Sequence, residues 1–153
     1  AHDNLAVKHG LSGPVVDGMS GVRIFYALAK DLNILGNGIF TTNDPLVGDM
    51  IFWDNTWDKD GNCSTDEPLT HMGIVTRGPD KDGTVLYAVS SSFKKRGVVK
   101  NQKMNITSTY KSNGDYNQVL RTNSCNNNGK YSGDLFAGYG KVRPVACWNP
   151  LHQ

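Results

Sequence analysis

One segment with helical periodicity comes first in this chain of 153 residues, and short segments with a period of two follow it. Between Met19 and about Asn33 the apolar residues recur three or four positions apart, and Gly36 and Gly38 follow the end of the segment. Apolar side chains also occupy much of the opposite side, so we expect a largely buried helix. One long helix followed by antiparallel strands is typical of an α+β domain.

Five segments carry the strand pattern, at 49–53, 71–76, 84–90, 97–99 and 138–143. The Gly-Pro-Asp-Lys-Asp-Gly run at 78–83 predicts the turn that joins the second and third strands. A stretch rich in Asn, Ser, Thr and Gly predicts a long loop before the last strand. We therefore expect a single domain over 1–153, with a helix region at 14–35, a sheet core at 48–100, a long polar loop at 108–130 and a closing strand at 135–145.

The overall composition excludes several classes of protein. Sixteen Lys and Arg residues against fourteen Asp and Glu residues give a net charge of +2, which is too small for the electrostatic footprint of a nucleic-acid-binding protein. The apolar stretches are far shorter than a bilayer span, and we find no secretory signal pattern. We therefore expect a globular domain without a nucleic-acid partner and without a membrane span.

The three cysteines are too few for a disulfide scaffold, and their spacing fits no zinc motif. The odd number permits one disulfide and one free thiol. Cys125 and Cys147 are the favoured pair because both lie in the irregular C-terminal third of the chain. The alternative is that these two cysteines are buried and reduced.

Three short motifs occur in a characteristic order, D-G-M-S-G-V at 17–22, G-D-M-I-F-W at 48–53 and T-H-M-G-I-V at 70–75. Together they resemble the NlpC/P60 and CHAP branch of papain-like cysteine peptidases, which cleave peptidoglycan stem peptides or amide bonds. The similarity covers roughly 13–99, and 135–143 resembles the closing strand of the family. The resemblance implies a papain-like α+β fold in which one buried N-terminal helix packs on a small antiparallel sheet.

The resemblance also implies three catalytic positions, namely a Cys at the start of the helix, a His on the adjoining strand and a third polar residue. The positive end of the helix dipole favours the thiolate of such a Cys. In this chain His71 occupies the base position, but Met19 occupies the Cys position and Val89 the third position. A thioether has no proton to lose and cannot form a thioester, and a valine cannot orient an imidazole.

We therefore expect a catalytically silent domain that needs no cofactor and that binds a peptidoglycan peptide, a wall fragment or a protein partner. Ser20, Trp53 and Ser90 are the candidate binding residues. The resemblance implies a secreted or periplasmic protein of the cell envelope. The first alternative is an active cell-wall amidase or endopeptidase in which His71 is the base and the nucleophile is unrecognised. Cys63, eight positions before His71, is the candidate for that nucleophile.

A polar run at 54–67 carries oxygen-bearing side chains at alternating positions around Gly61, as a calcium loop requires. One possible register begins at Thr56 and ends on Glu67, and the other begins at Asp58 but places Cys63 where a Gly is wanted. The candidate ligands of the two registers are Asp58, Asp60, Asn62, Asp66 and Glu67. Solvated acids in a polar hairpin are the simpler explanation. If the loop does bind calcium, a calcium-stabilised structural or adhesive module is the second alternative function.

Overall fold

The computed structural model describes residues 21–23, 25–26, 39–58, 60–90, 99–121 and 130–141. These residues contain eight strands, which are β1 (Ile39–Phe40), β2 (Met50–Trp53), β3 (His71–Arg77), β4 (Val85–Ser90), β5 (Val99–Met104), β6 (Val119–Arg121), β7 (Lys130–Tyr131) and β8 (Phe136–Gly140). Six of them form one antiparallel sheet in the order β1-β8-β2-β3-β4-β5, and β6 pairs with β7 in a second sheet.

The described helix is short. Residues 21–23 and 25–26 are helical, so the described chain is mostly antiparallel sheet with very little helix, an α+β-like arrangement. Phe25, one of the apolar residues of the helix that we expected to be buried, is 47% exposed. The described residues therefore do not show a buried N-terminal helix. Met19 and Ser20 lie outside the described residues. No described helix is long and apolar enough to cross a membrane.

The central strand β2 is buried on both faces of the sheet, and its four residues alternate between two apolar clusters. Met50 and Phe52 point to one face, which we call the helix face because Val22 and Tyr26 pack against it. The ring of Tyr26 meets that of Phe52 edge to face, with centroids 5.2 Å apart. Ile51 and Trp53 point to the other face, which we call the core face. The members of its buried cluster are Ile51, Trp53, Val75, Val85, Tyr87, Val89, Met104, Leu135 and Tyr139.

The segments predicted at 49–53, 71–76 and 84–90 correspond to β2, β3 and β4, whereas the one at 97–99 shares only Val99 with β5 and the one at 138–143 overlaps only the end of β8. The turn prediction agrees with the structure. β3 and β4 pair antiparallel on either side of the 78–83 segment. In that turn the backbone N–H of Gly83 donates to Asp80 O (3.0 Å), and the Asp80 carboxylate accepts from the N–H of Thr84 (2.9 Å). An Asp that satisfies backbone donors in this way is the physical basis of the turn signal.

The segment between β5 and β8 differs from the loop expected at 108–130, because β6 pairs with β7 there and buried amides organise the turns. The side-chain amide of Asn117 donates to Tyr110 O (2.8 Å), and its oxygen accepts from the N–H of Asn105 (2.9 Å) and from the Ser132 hydroxyl (3.1 Å). Asn105 and Ser132 are 0% exposed. These polar side chains are buried because each satisfies a backbone group that would otherwise lack a partner.

Candidate functional site

His71 begins β3 and lies opposite Trp53 of β2. The imidazole stacks on the Trp53 ring with the two centroids 5.7 Å apart and the planes inclined by 29°. The side chain is half-buried, and this burial lowers the pKa of His71 below its ordinary value of 6.5. The neutral imidazole is therefore the form that the fold favours at neutral pH.

The imidazole of His71 and the described helical residues lie on opposite faces of the sheet. His71 shares the core face with Trp53, whereas Val22 and Tyr26 contact the cluster around Phe52 on the helix face. A nucleophile at the start of a helix can use a histidine base only if the two side chains meet on one face. The described residues do not bring such a pair together, and Met19 itself lies outside them.

Two of the other residues expected at the site lie in or beside the core of the sheet. Val89 is 8% exposed and belongs to the core-face cluster, so the third position holds a packed apolar side chain. Trp53 is 0% exposed, and its indole N–H donates to Ser132 O at 2.9 Å. The Trp53 ring is therefore part of the apolar core of the sheet. Ser90 ends β4 opposite Val99, and Ser20 lies outside the described residues.

Cys63 is disulfide-bonded, which overturns one expectation. A cysteine in a disulfide has no thiolate, so Cys63 is not the alternative nucleophile. A disulfide between Cys125 and Cys147 was the pairing expected from the sequence. Both of those cysteines lie outside the described residues.

The carboxylates of Asp58, Asp60 and Glu67 come together in the segment between β2 and β3. One oxygen from each of them lies within 4.8 Å of the others. Glu67 is only 8% exposed, whereas Asp60 lies on the surface. Three carboxylates at this separation repel one another, and the group could hold a metal ion.

The backbone of the loop is folded around Asp58. The carboxylate of Asp58 accepts from the N–H groups of Gly61 (2.8 Å) and Cys63 (2.9 Å). Gly61 has φ 75°, in the left-handed region that glycine adopts without steric cost. Burial alone would raise the pKa of Asp58, but hydrogen bonds from the backbone of Cys63 and Gly61, together with those to the Glu67 and Asp60 side chains, lower it. This carboxylate is therefore charged at neutral pH.

The grouping of these carboxylates matches the calcium register that begins at Thr56. That register uses Glu67 as its last ligand, and Glu67 is the buried member of the group. The side chains particular to the other register make hydrogen bonds elsewhere in the loop. The Asn62 amide donates to Asp60 (2.8 Å) while its oxygen accepts from Ser64 N–H (2.7 Å), and Asp66 accepts from the Ser64 hydroxyl.

Arg121 of β6 connects this loop to the rest of the domain, a role that no motif in the sequence predicts. Its guanidinium donates to Ser64 O (2.8 Å) and Asn55 O (3.3 Å), and one nitrogen lies 3.9 Å from the Glu67 carboxylate. Arg121 is 7% exposed, so these charges interact at reduced dielectric. Asn55 closes the loop by exchanging hydrogen bonds with Glu67 at 2.8 and 2.7 Å. The only sequence signal was a single Arg after two apolar residues in a polar stretch.

Comparison of the chain with family models, with curated proteins and with solved structures gives no match. The functional assignment therefore depends on the residues and the geometry of this chain.

Proposed function

We propose that this chain is a structural or adhesive module that calcium stabilises through the loop at 54–67. The observation that carries the proposal is the convergence of Asp58, Asp60 and Glu67 within 4.8 Å. In this proposal the ion relieves the repulsion between the three carboxylates and fixes the loop against β2 and β3. In this proposal the ion takes no part in a reaction. It stabilises the domain and orders the surface loop.

The chemistry of the loop favours calcium over other common ions. The three acidic side chains supply only oxygen atoms, which hard cations prefer, whereas structural zinc sites use thiolate and imidazole ligands. Cys63 is disulfide-bonded and offers no thiolate. Calcium takes six to eight oxygen ligands in flexible geometry, so water or backbone carbonyls would complete the shell that the three carboxylates begin. Magnesium demands a regular octahedron and releases water reluctantly.

Calcium is expected to raise the free energy of unfolding of the unmodified chain by about 2.7 kcal/mol when the free ion is at a hundred times its dissociation constant. The measurement is urea denaturation in EDTA and in increasing calcium. Asp60→Asn removes a charge but keeps an amide oxygen that is a weaker calcium ligand, so it should reduce the increase. Asp115→Asn removes the charge of another exposed Asp outside the group and should leave the increase unchanged.

Two results of this experiment would count against calcium binding. Millimolar calcium without any effect on the unmodified chain would refute the proposal. An equal response in the Asp60→Asn chain would show that calcium binds at a different place.

A second candidate function is a catalytically silent NlpC/P60- or CHAP-like domain that binds a wall peptide or a protein partner in the cell envelope. Two observations favour it. The second and third motifs lie on the neighbouring strands β2 and β3, and Val89 on β4 presents an apolar side chain to the face that carries His71. An imidazole without a polar residue to orient it is a poor general base.

The unmodified chain is expected to release no fragments from purified peptidoglycan, because Met19 cannot act as a nucleophile. Chromatography of the released peptides measures this. The Met19→Cys chain provides the comparison, and it should reach slow turnover at most because a valine at position 89 cannot orient the imidazole. Rapid, metal-independent digestion by the unmodified chain would contradict catalytic silence.

A further inference from the structure

The exposed turn at 110–117 carries an Asn-Gly dipeptide whose side chain and backbone are placed to react with each other. The Oδ1 atom of Asn113 accepts a hydrogen bond from the backbone N–H of Asp115 at 2.8 Å, which is an Asx turn. The ring of atoms that this bond closes contains both Cγ of Asn113 and the backbone nitrogen of Gly114. Asn113, Gly114 and Asp115 are all exposed, so water reaches this ring.

An asparagine side chain can react with the backbone nitrogen that follows it, and glycine permits this because it has no Cβ to obstruct the approach. The Gly114 nitrogen gives up its proton to solvent base and bonds to Cγ of Asn113. The Cγ–Nδ2 bond then breaks and ammonia leaves with a proton taken from water. The N–H of Asp115 stabilises the negative charge that develops on Oδ1 during this step.

Water then opens the succinimide ring that has formed, at one of its two carbonyl groups. Attack at Cγ gives an aspartate. Attack at the former backbone carbonyl breaks the original peptide bond and gives an isoaspartate, in which the main chain continues through the side chain. Both products carry a carboxylate that the asparagine lacked.

A second Asx turn in the chain has similar geometry but a nitrogen that is already engaged. Asn62 is exposed, and its Oδ1 accepts from the N–H of Ser64 at 2.7 Å. The nitrogen that follows it belongs to Cys63, which has a Cβ and whose N–H donates to the Asp58 carboxylate at 2.9 Å. Among the residues that the structure describes, none accepts a hydrogen bond from the N–H of Gly114.

We propose that Asn113 is a site of spontaneous deamidation and backbone isomerisation in the folded chain, with water as the only co-reactant. The inference is independent of calcium binding. Isoaspartate here removes a peptide carbonyl that organises the turn. The carbonyl oxygen of Asn113 accepts from the N–H of Tyr116 (3.1 Å) and from the side-chain amide of Asn117 (3.3 Å). Isomerisation converts this carbonyl into a free carboxylate and lengthens the main chain by a methylene group.

The isoaspartate form is expected to loosen the buried amides, because Asn117 links the turn to them. Asn117 is 3% exposed, and its Oδ1 accepts from the N–H of Asn105 (2.9 Å) and from the Ser132 hydroxyl (3.1 Å). Its amide nitrogen binds the carbonyl oxygens of Tyr110 and Asn113, and isomerisation removes the second of these acceptors. The amide of Asn105 should therefore exchange its hydrogen several-fold faster in the isoaspartate form.

The test incubates the full folded chain at mildly alkaline pH, where hydroxide removes amide protons more often. Peptide mapping with electron-transfer fragmentation follows each asparagine and distinguishes aspartate from isoaspartate. Product at Asn113 should accumulate several-fold faster than at Asn62, which is the matched site within the chain. Gly114→Ala should slow the reaction several-fold, since its Cβ obstructs the approach and lies 3.1 Å from the Tyr131 ring, a side chain that can shift.

The Asn113→Gln chain is the control for the structural consequence, because glutamine would have to close a larger ring and should form no product in the same time. Its Asn105 amide should keep its protection throughout the incubation.

Four results would overturn the proposal. They are equal rates at Asn113 and Asn62, an unchanged rate in the Gly114→Ala chain, and product at Asn113 only when the chain is unfolded in guanidinium chloride. The fourth is an equal loss of Asn105 protection in the incubated Asn113→Gln chain, which would separate that loss from the reaction.

Discussion

Replacing Trp53 by alanine is expected to lower the free energy of unfolding by about 3–5 kcal/mol, the usual range for truncating a buried aromatic residue. The Trp53 ring is 0% exposed and its centroid lies 4.8 Å from that of Tyr87. It also stacks on His71, and its N–H satisfies the buried carbonyl of Ser132. The substitution therefore opens a cavity in the core face and leaves that carbonyl without its partner.

Urea denaturation measures this loss of stability. A second substitution at Trp53 separates the contribution of the indole N–H from that of the ring, and a substitution at Trp57 is the control. Trp53→Phe keeps an aromatic ring but removes the indole N–H, so it should cost about 1–3 kcal/mol. Trp57→Ala removes a tryptophan that is 52% exposed and should stay within about 0.5 kcal/mol of the unmodified chain. A cost below about 1 kcal/mol for Trp53→Ala would mean that the core face does not depend on this ring.

The strands of the sheet core were predictable because their side chains follow a simple rule. In β2 the alternate residues Met50 and Phe52 belong to one apolar cluster, and Ile51 and Trp53 belong to the other. A segment that must be buried on both faces is apolar throughout, and Gly and Asp mark its ends. The local pattern therefore carries enough information to locate such strands.

Buried polar residues were not predictable, because the sequence gives their type but not their partners. Asn105 and Asn117 look like loop residues, yet they are 0% and 3% exposed and bind backbone groups around the turns. Two-residue strands such as β1 and β7 are too short to carry a period. Each is defined by its pairing with a distant strand, β1 with β8 and β7 with β6.

The residues of the candidate site also fall into two groups, those that the sequence predicts and those that it does not. Asp58, Asp60 and Glu67 were recognised because calcium loops place their ligands at local, regular spacings. Arg121 is separated from Glu67 by 54 positions, so no local pattern relates the two residues. His71 was recognised from a motif, but its partner ring and the face to which it points became clear only from the register of β2 and β3.

A methyl group at Gly133 is expected to disrupt the packing between the buried amides and the β6–β7 sheet. A Cβ atom built on Gly133 would lie 2.3 Å from Asn105 O and 2.8 Å from both Asn117 Oδ1 and Lys111 Cα. Two of these three atoms belong to the backbone, so no rotamer change can relieve the clash. Gly133 does not have a positive φ, and the penalty is therefore steric.

We expect Gly133→Ala to lower the free energy of unfolding by about 3 kcal/mol, the upper part of the usual range for overpacked cores, because a backbone oxygen must move. Gly21→Ala is the control, since its Cβ meets nothing within 4 Å in an exposed helical position and the change should be neutral or slightly stabilising. Hydrogen exchange gives a local readout. The amide of Asn105, which donates to Asn117 at 2.9 Å, should lose protection before the amides of β2 do. If Gly133→Ala left both stability and this protection unchanged, the turn before β8 would have to be looser than the contacts around Gly133 imply.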